Sequence, residues 1–314
     1  MDTRPQPGLL DVLEAARRIE GRVVRTPLVR FWAAEFPLYL KLESLQVTGS
    51  FKPRGVFNHL LRHREACARG VVTASSGNHG QALTYAARQM GLRCAVVVPE
   101  DVVPAKLQAI ERLGAEVIRC GRTTRERIDL ALRLSEEQGL HYVPPFDDPD
   151  VIAGQGTIGL EILDQCPEVE RIYVPCGGGG LLSGIAVASK AIRPEVRLVG
   201  VEPEGAACFF ASWQAGGRVR LAGVETVADG LRAAEPGELP WAIASRLVDA
   251  FTTVTEHEIL STMRRLLLEG KLLTEPSGAV SVAASLREAP HSPSVAVVSG
   301  GNVDPTLLSS LLSS

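Results

Sequence analysis

The chain has 314 residues, which is enough for about two domains. Its composition, 45% hydrophobic and 22% charged, is typical of a globular protein with a large core. A net charge of −3 without a long basic run gives no reason to expect nucleic acid or an anionic membrane as a partner.

The cysteines and the N-terminal sequence indicate a cellular compartment. No CxxC pair occurs among the six scattered cysteines, which favours reduced thiols over a disulfide framework or a zinc site. Residues 1–18 carry charges throughout and contain no apolar block of a signal peptide, and no apolar run reaches membrane-spanning length. We therefore expect a cytoplasmic protein. The cysteines are Cys67, Cys94, Cys120, Cys166, Cys176 and Cys208.

In chain order, a short N-terminal part precedes a first alternating region. The N-terminal part has helical spacing over 9–20, an apolar strand at 38–42 and a helix from Lys52 to about Ala68. Strands then alternate with helices, which predicts a small parallel sheet covered by helices. The predicted strands are 71–73, 94–98, 116–119 and 141–143, and the helices are 81–90, 105–113 and 125–138.

A second alternating region follows. Together the two regions predict an α/β fold of two domains, each a mainly parallel twisted sheet flanked by helices, with a ligand site in the cleft between them. Because the N-terminal strand needs a sheet to join, we assign 1–65 and 146–314 to a large domain and 66–145 to a small one. Here the predicted helices are 157–165, 181–191, 256–269 and 277–286, and the strands are 171–175, 197–201 and 295–298.

The stretch TGSFKPRG at 48–55 links the strand at 38–42 to the next helix. Pro53 suits the first turn of a helix, which places Lys52 at the positive end of the helix dipole and near Arg54. Both features lower the pKa of a lysine, and a partly neutral lysine can act as a base or form a Schiff base with a carbonyl. Taken alone, the stretch is equally compatible with a surface lysine in a capped turn.

Three loops after strands contain further candidate residues. In SSGNHG (75–80), small residues precede a helix, an arrangement that binds phosphate or carboxylate, although an N-cap turn is the simpler alternative. The hydroxyl of Ser76 could relay a proton, whereas His79 alone is more typical of a structural residue. The loop after the strand at 295–298 places Ser299 at the ligand side of a parallel sheet.

Four consecutive glycines, 177–180, follow the strand at 171–175. Ordering them without a ligand is costly, and their backbone amides can wrap a phosphate. The spacing fits neither GxGxxG nor a Walker loop. Glu202 ends the next strand as the ribose-binding acid of a dinucleotide fold does, which keeps a dinucleotide as a secondary cofactor hypothesis.

Seven motifs in sequence order resemble the tryptophan-synthase-β-like group, or fold type II, of pyridoxal-phosphate enzymes. Within this group the chain resembles the serine/threonine dehydratase and serine racemase family, and the resemblance covers nearly the whole chain. It implies pyridoxal 5′-phosphate in the interdomain cleft and a homodimer. The motifs are TGSFKPRG, SSGNHGQALTYAA, VIAGQGTIGLEI, PCGGGGLLSG, TVADGLR, TEPSGAV and SGGNVD.

The resemblance implies catalytic and substrate-binding roles position by position. Lys52 is implied to form the Schiff base with the cofactor and to act as a base on one face of it. The hydroxyl of Ser76 is implied to transfer a proton on the opposite face. The residues implied to bind the substrate, mainly its carboxylate, are Ser75, Ser76, Asn78 and His79, with Arg125 matched to a substrate-side arginine of the racemases.

Other positions are implied to hold the cofactor. Phe51 is expected to pack on the ring of the cofactor, and Asn78 to form a hydrogen bond with the ring hydroxyl. The glycines and Leu181 are expected to bind the phosphate, and Ser299 to face the pyridine nitrogen. The implied cofactor-binding residues are Phe51, Lys52, Asn78, Gly177, Gly178, Gly179, Gly180, Leu181, Gly230, Glu275 and Ser299.

The expected activity is a dehydratase that converts L-threonine or L-serine, through an aminoacrylate, to a 2-oxo acid and ammonia. A serine opposite the ring nitrogen leaves the ring less protonated than an aspartate does, which favours loss of the β-hydroxyl. Ser76 supports serine racemase as the main alternative, or a bifunctional enzyme, because racemases of the family carry serine there and many threonine dehydratases carry alanine. A hydroxyaspartate dehydratase, a β-replacement enzyme of the cysteine synthase kind and a non-catalytic cofactor-binding protein remain further alternatives.

Two departures from the family pattern matter. Racemase-like members bind a divalent cation through a glutamate and an aspartate six residues later; here Glu202 is followed by Cys208. Hard cations prefer oxygen ligands, so we expect no metal and no strong magnesium dependence. The chain ends soon after SGGNVD, so we also expect no regulatory domain and no feedback inhibition by isoleucine.

Overall fold

The strands form two separate sheets in a computed structural model that describes residues 5–313. The described strands are β1 (Leu28–Arg30), β2 (Leu38–Leu42), β3 (Val71–Thr73), β4 (Cys94–Val98), β5 (Glu116–Arg119), β6 (His141–Tyr142), β7 (Arg171–Pro175), β8 (Arg197–Pro203), β9 (Ala250–Val254) and β10 (Ser294–Val298).

Helices flank both sheets. The described α-helices are α1 (Leu9–Ile19), α2 (Lys52–Arg62), α3 (Asn78–Gln89), α4 (Pro104–Leu113), α5 (Thr124–Gln138), α6 (Pro149–Gln165), α7 (Gly180–Ile192), α8 (Cys208–Ala215), α9 (Glu238–Leu247), α10 (Glu256–Leu268), α11 (Pro276–Glu288) and α12 (Pro305–Ser313). Within residues 5–313, no helix combines the length and apolar character needed to cross a bilayer.

The larger sheet has the strand order β1-β2-β10-β7-β8-β9. Only the β1–β2 pair is antiparallel, and the other neighbours are parallel. Strand β2 pairs with β10 in the register Leu38 with Ser294, so the N-terminal strand joins the sheet of the C-terminal region. From the sequence, we expect the N-terminal strand to join this sheet.

The smaller sheet has the order β5-β4-β3-β6 and is parallel throughout. Its central strand β4 consists of five buried residues, as expected for a strand covered on both faces. The two parallel-sheet domains confirm the predicted fold class. The boundaries at 65/66 and 145/146 stay predictions, and the outer limits at 1 and 314 lie outside the described residues.

Three predicted helix limits are wrong. Helix α2 ends at Arg62 and not near Ala68, because the chain turns there and buries Cys67 in the core of the small domain. Helix α3 begins at Asn78 and not at residue 81, so half of the SSGNHG loop is its first turn. Helix α6 begins at Pro149 and not at residue 157.

The early start of α6 has a clear structural cause. Asp148 caps the helix by accepting the backbone N–H groups of Asp150 and Val151, both at 2.9 Å. Glycines inside α6 allow close helix contacts: a Cβ on Gly154 would lie 2.6 Å from the carbonyl oxygen of Arg54 on α2. The close contact positions α2, which begins with Lys52, against the large domain.

Candidate active site

The candidate residues follow the carboxyl ends of parallel strands in both sheets. Ser299 follows β10, Gly177 comes two residues after β7, and Ser75 comes two residues after β3. Because the ligand crevice of an open parallel sheet lies outside these strand ends, the loops of the two domains face a common cleft.

Lys52 is the first residue of α2, and its side chain is half-buried. Its Nζ donates a hydrogen bond of 2.7 Å to the carbonyl oxygen of Pro145 and lies 5.0 Å from the centre of the Phe51 ring. Burial lowers the pKa of Lys52 to about 8, and the carboxyl group of Glu275 opposes this shift. A substantial fraction of the amine is therefore neutral near physiological pH.

Backbone hydrogen bonds fix the position of Phe51 and Lys52 against the end of β10. The N–H of Phe51 donates to the carbonyl oxygen of Ser299 at 3.1 Å. The buried Ser299 hydroxyl donates to the carbonyl oxygen of Ser277 at 3.3 Å, and the N–H of Gly230 donates to Ser277 Oγ at 3.0 Å. Four separate segments of the chain thus meet beside Lys52.

A second network connects the two domains. Asn78, the first residue of α3 in the small domain, donates from Nδ2 to Glu275 Oε1 at 2.7 Å and accepts from Asn302 Nδ2 at 2.7 Å. Glu275 is buried, and burial raises its pKa to about 8, with the nearby Asp229 adding to the shift. An amide nitrogen carries two hydrogens, and the described hydrogen bonds use one of those on Asn78 Nδ2, so the second is available to a further acceptor.

The glycine loop is shaped by close packing. A Cβ on Gly178 would lie 2.5 Å from the ring of Phe146, and one on Gly179 would lie 2.3 Å from the Phe209 ring. Gly179 also has φ +94°, a conformation that favours glycine. The first N–H groups of α7, from Gly180 and Leu181, have no acceptor within their own helix and are available to an anion.

The side chains of the SSGNHG loop have two kinds of surroundings. Ser75 and Ser76 are half-buried before the start of α3, and Ser75 Oγ accepts the N–H of Gly77 at 3.4 Å. The His79 ring is buried, and its Nε2 lies 3.0 Å from the carbonyl oxygen of Val143. Burial lowers the pKa of His79 to about 3, with the charge of Lys52 adding to the shift, so the imidazole is neutral.

Arg125 is placed apart from these networks. It is the second residue of α5, its side chain is 88% exposed, and its nearest carboxylate is that of Asp129 at 3.9 Å. The described hydrogen bonds around Lys52 do not include Arg125.

Several residues around Lys52 have no recognisable sequence pattern. Pro145 contributes a backbone carbonyl oxygen, which any residue type supplies. Phe146 packs on the glycine loop, and Lys106 of α4 forms an ion pair with Asp229 across the cleft. A spacing argument cannot find such contacts, because they depend on how the two domains are placed.

Glu202 has a different environment from that of a hard-cation ligand. Its two carboxylate oxygens accept the backbone N–H groups of Phe209 at 2.9 Å and Phe210 at 2.7 Å, which caps α8. Burial raises the pKa of Glu202 to about 7. Cys208 Sγ lies 3.9 Å from the carbonyl oxygen of Gly177. The expected independence from magnesium stays a prediction.

Comparison with known proteins agrees with this geometry. The family model described as "Pyridoxal-phosphate dependent enzyme" matches residues 19–300. The L-threonine ammonia-lyase of Thermotoga maritima is 40% identical over 311 residues, covering 97% of this chain and 78% of that protein. The serine racemase of Arabidopsis thaliana is 39% identical over 309 residues, covering 94% of this chain and 93% of that protein. The maize serine racemase structure superposes with a TM-score of 0.93 at 35% identity, covering 98% of both chains.

The chain belongs to the family of pyridoxal-phosphate-dependent enzymes, which confirms the resemblance and the cofactor inferred from its motifs. The residues present fit the cofactor. A half-buried amine of lowered pKa lies in the cleft, and a glycine loop that tolerates no side chain begins a helix whose N–H groups are available to a phosphate.

Proposed function

We propose that this protein is an ammonia-lyase that converts L-threonine or L-serine to a 2-oxo acid and ammonia. The observation that carries the proposal is the half-buried Lys52, whose amine has a pKa of about 8 and contacts only a carbonyl oxygen among the described hydrogen bonds. The name of the Thermotoga relative, an L-threonine ammonia-lyase, supports this reaction class.

Lys52 is the proposed nucleophile and base. Pyridoxal phosphate, when bound, withdraws electrons from the Cα of an amino acid and so acidifies the Cα–H bond. The neutral amine of Lys52 accepts that proton and then donates it to the β-hydroxyl, which leaves as water. Water is consumed again when the enamine product hydrolyses, so the net reaction yields one 2-oxo acid and one ammonia for each hydroxy amino acid.

The glycine loop is the proposed phosphate site, formed by Gly177 to Gly180 with Leu181. Phe146 lies against Gly178 and Gly180, so this loop and the backbone beside Lys52 Nζ belong to one packed unit. Such packing holds the phosphate and the amine at a fixed separation.

Ser299, Asn78 and Gly230 are the proposed contacts to the cofactor ring. The Ser299 hydroxyl carries no charge, so it does not enforce protonation of a ring nitrogen as a carboxylate would. The hydrogen bonds from Phe51 to Ser299 and from Asn78 to Glu275 hold these groups around the ring position.

The N-terminus of α3 is the proposed site for the substrate carboxylate. Ser75 and Ser76 supply hydroxyls, and the first N–H groups of the helix, from Asn78 and His79, face an anion favourably. The contribution of His79 comes from its backbone, because its ring bonds Val143 and stays neutral.

Serine racemase is the second candidate, favoured by the half-exposed hydroxyl of Ser76 and by the Arabidopsis relative. Racemisation requires a proton donor on the face opposite Lys52.

The proposed substrate is a free hydroxy amino acid. The proposed assembly is a cytoplasmic homodimer, and sedimentation of the holoenzyme tests its oligomeric state.

One experiment separates the candidates. Holoenzyme is incubated with L-threonine, L-serine and L-threo-3-hydroxyaspartate, 2-oxo acids are quantified, and D-serine is measured by chiral chromatography. The lyase proposal predicts 2-oxo acid as the main product, whereas D-serine formed faster than 2-oxo acid contradicts it. Ser76→Ala should remove any D-serine and retain the lyase activity, and Ser261→Ala, an exposed serine on α10, serves as the control.

A further inference from the structure

Three histidines and two aspartates form a cluster outside the proposed active site, which we call the histidine cluster: His59, His63, His141, Asp148 and Asp150. His59 lies in the last turn of α2 and His63 directly follows the helix, His141 begins β6, and the aspartates flank the start of α6. The ring centres of His59 and His63 are 4.7 Å apart, and those of His59 and His141 are 5.1 Å apart.

Three residues of the histidine cluster have the composition and spacing of a metal site. Each of His59, His63 and Asp150 offers a ligand atom, and these atoms lie within 4.8 Å of one another. Ligands about 2.0–2.2 Å from a tetrahedral zinc ion are roughly 3.3 Å apart, so modest rotamer changes bring these three together. The N–H of His63 donates to the carbonyl oxygen of His59 at 3.0 Å, so the i, i+4 spacing keeps the two side chains on the same side of the helix end.

The neighbours of these ligands resemble the outer shell of a zinc site. Asp148 Oδ1 lies 3.0 Å from His59 Nδ1, which fixes the ring and leaves Nε2 as the ligand atom. Asp150 Oδ1 accepts from Arg62 at 2.8 Å, while its Oδ2 faces His63 Nε2 at 2.7 Å. His59 Nε2 lies 2.8 Å from His141 Nε2, a hydrogen bond that a bound ion would replace, and water would complete four-coordination.

We propose that His59, His63 and Asp150 bind a divalent cation of the zinc class, that is Zn²⁺, Co²⁺ or Ni²⁺. Two imidazoles and one carboxylate suit these borderline ions better than Mg²⁺ or Ca²⁺, which prefer oxygen. The ion ties the end of α2 to the start of α6, which directly follows the segment that contains Pro145 and Phe146. Metal binding therefore stiffens the segment that contacts Lys52 and the glycine loop, whatever reaction the enzyme catalyses.

The direct test is titration of chelator-treated holoenzyme with Co²⁺, followed by its visible d–d absorption, and with Zn²⁺ in competition. The proposal predicts one tightly bound ion per chain. Loss of a second-shell partner costs about 10- to 100-fold in metal affinity, so His63→Ala and Asp150→Asn, which each remove a ligand, should weaken binding at least as much. His257→Ala, which removes an exposed histidine on α10, should leave it unchanged.

Thermal unfolding provides a second readout that is independent of activity. Zn²⁺ should raise the Tm of the wild type and of His257→Ala but not that of His63→Ala, because only an ion bound to the folded state stabilises it. The His63 side chain is 38% exposed, so its removal should leave the fold intact, which circular dichroism checks. Absence of a cobalt band in the wild type, or an equal band in His63→Ala, would overturn the proposal.

Discussion

Lys52 and Arg54 lie two residues apart on α2, yet their surroundings differ in a decisive way. Arg54 is fully buried and donates to Glu43 at 2.8 and 2.9 Å and to Glu161 at 2.6 and 2.9 Å. Lys52 Nζ donates to a single backbone carbonyl oxygen at 2.7 Å and makes no described ion pair within 4 Å. One cation is neutralised by two carboxylates, and the other is left beside a neutral acceptor.

The pKa values follow from this difference. Burial alone lowers the pKa of Arg54, but Glu43 and Glu161 outweigh burial and raise it further above its usual range. For Lys52 burial prevails, and its pKa falls to about 8. Two carboxylates thus keep the buried Arg54 charged, whereas the amine of Lys52, beside a neutral acceptor, is partly deprotonated near neutral pH.

The largest effect is expected from Lys52→Ala. Loss of a positioned base costs about 10²–10⁴-fold in turnover, and here the proposed attachment of the cofactor is lost as well. Assays of 2-oxo acid formation should show this loss while the urea unfolding midpoint stays close to that of the wild type. Lys190→Ala, which breaks an ion pair with Asp249, is the matched control and should retain activity.

Arg54→Met should have the opposite effect to Lys52→Ala, because it should lower the stability of the fold. It leaves the buried Glu43 without the cation that pairs with it, while Glu161 keeps its ion pair with Lys41 at 2.5 Å. Breaking a buried pair typically costs about 3–5 kcal/mol. Urea unfolding measures the change in the free energy of unfolding. Arg93→Met breaks an exposed pair with Glu116 and should cost no more than about 1 kcal/mol; similar losses in the two variants would contradict the comparison.

Gly178→Ala should weaken cofactor binding without unfolding the protein. The added Cβ lies 2.5 Å from the Phe146 ring, and overpacking of this kind costs about 1–3 kcal/mol. Absorbance titration with pyridoxal phosphate should therefore give a Kd about 5- to 160-fold higher. Gly217→Ala, where nothing lies within 4 Å of the new Cβ, should bind as the wild type does.

The pH dependence of cofactor capture gives the smallest effect and tests the lowered pKa of Lys52. Raising the pH deprotonates the amine, and the neutral form attacks the aldehyde. With a pKa of about 8, the capture rate of the cofactor-free protein should rise about tenfold per pH unit below pH 8 and level off above it. Stopped-flow absorbance measures this rate, and a rise that continues to pH 10 would mean that the pKa of Lys52 is unperturbed.

In Glu275→Gln the midpoint of the rate-against-pH curve should move to lower pH, because the carboxyl group of Glu275 raises the pKa of Lys52.

The parts of the fold that local sequence patterns determine could be predicted. Strands β2 and β4 begin and end where the apolar runs do, because their side chains are largely buried. The start of α6 was missed because its glycines weaken the helical signal. The close contact of Gly154 with Arg54 that requires a glycine is visible only once α2 and α6 are packed.

The residues of the candidate site likewise divide into those that a local motif predicts and those that only the folded structure brings together. The motifs predict roles for Lys52 and the glycine loop, and these roles stay predictions, although the loop is under steric constraint in the folded protein. Pro145 could not be found, because its contribution is a backbone oxygen. Arg125 was placed on the correct helix, but its exposure depends on which face of α5 packs against the sheet, and the weak pattern there did not decide this.

The most direct test of the account locates the cofactor on the chain. Holoenzyme is reduced with borohydride, digested and analysed by mass spectrometry, which identifies the lysine that carries the pyridoxyl group. We expect modification of Lys52, with no pyridoxylated peptide from Lys52→Ala. Modification of Lys41, Lys106 or another lysine in place of Lys52, or of none, would contradict it.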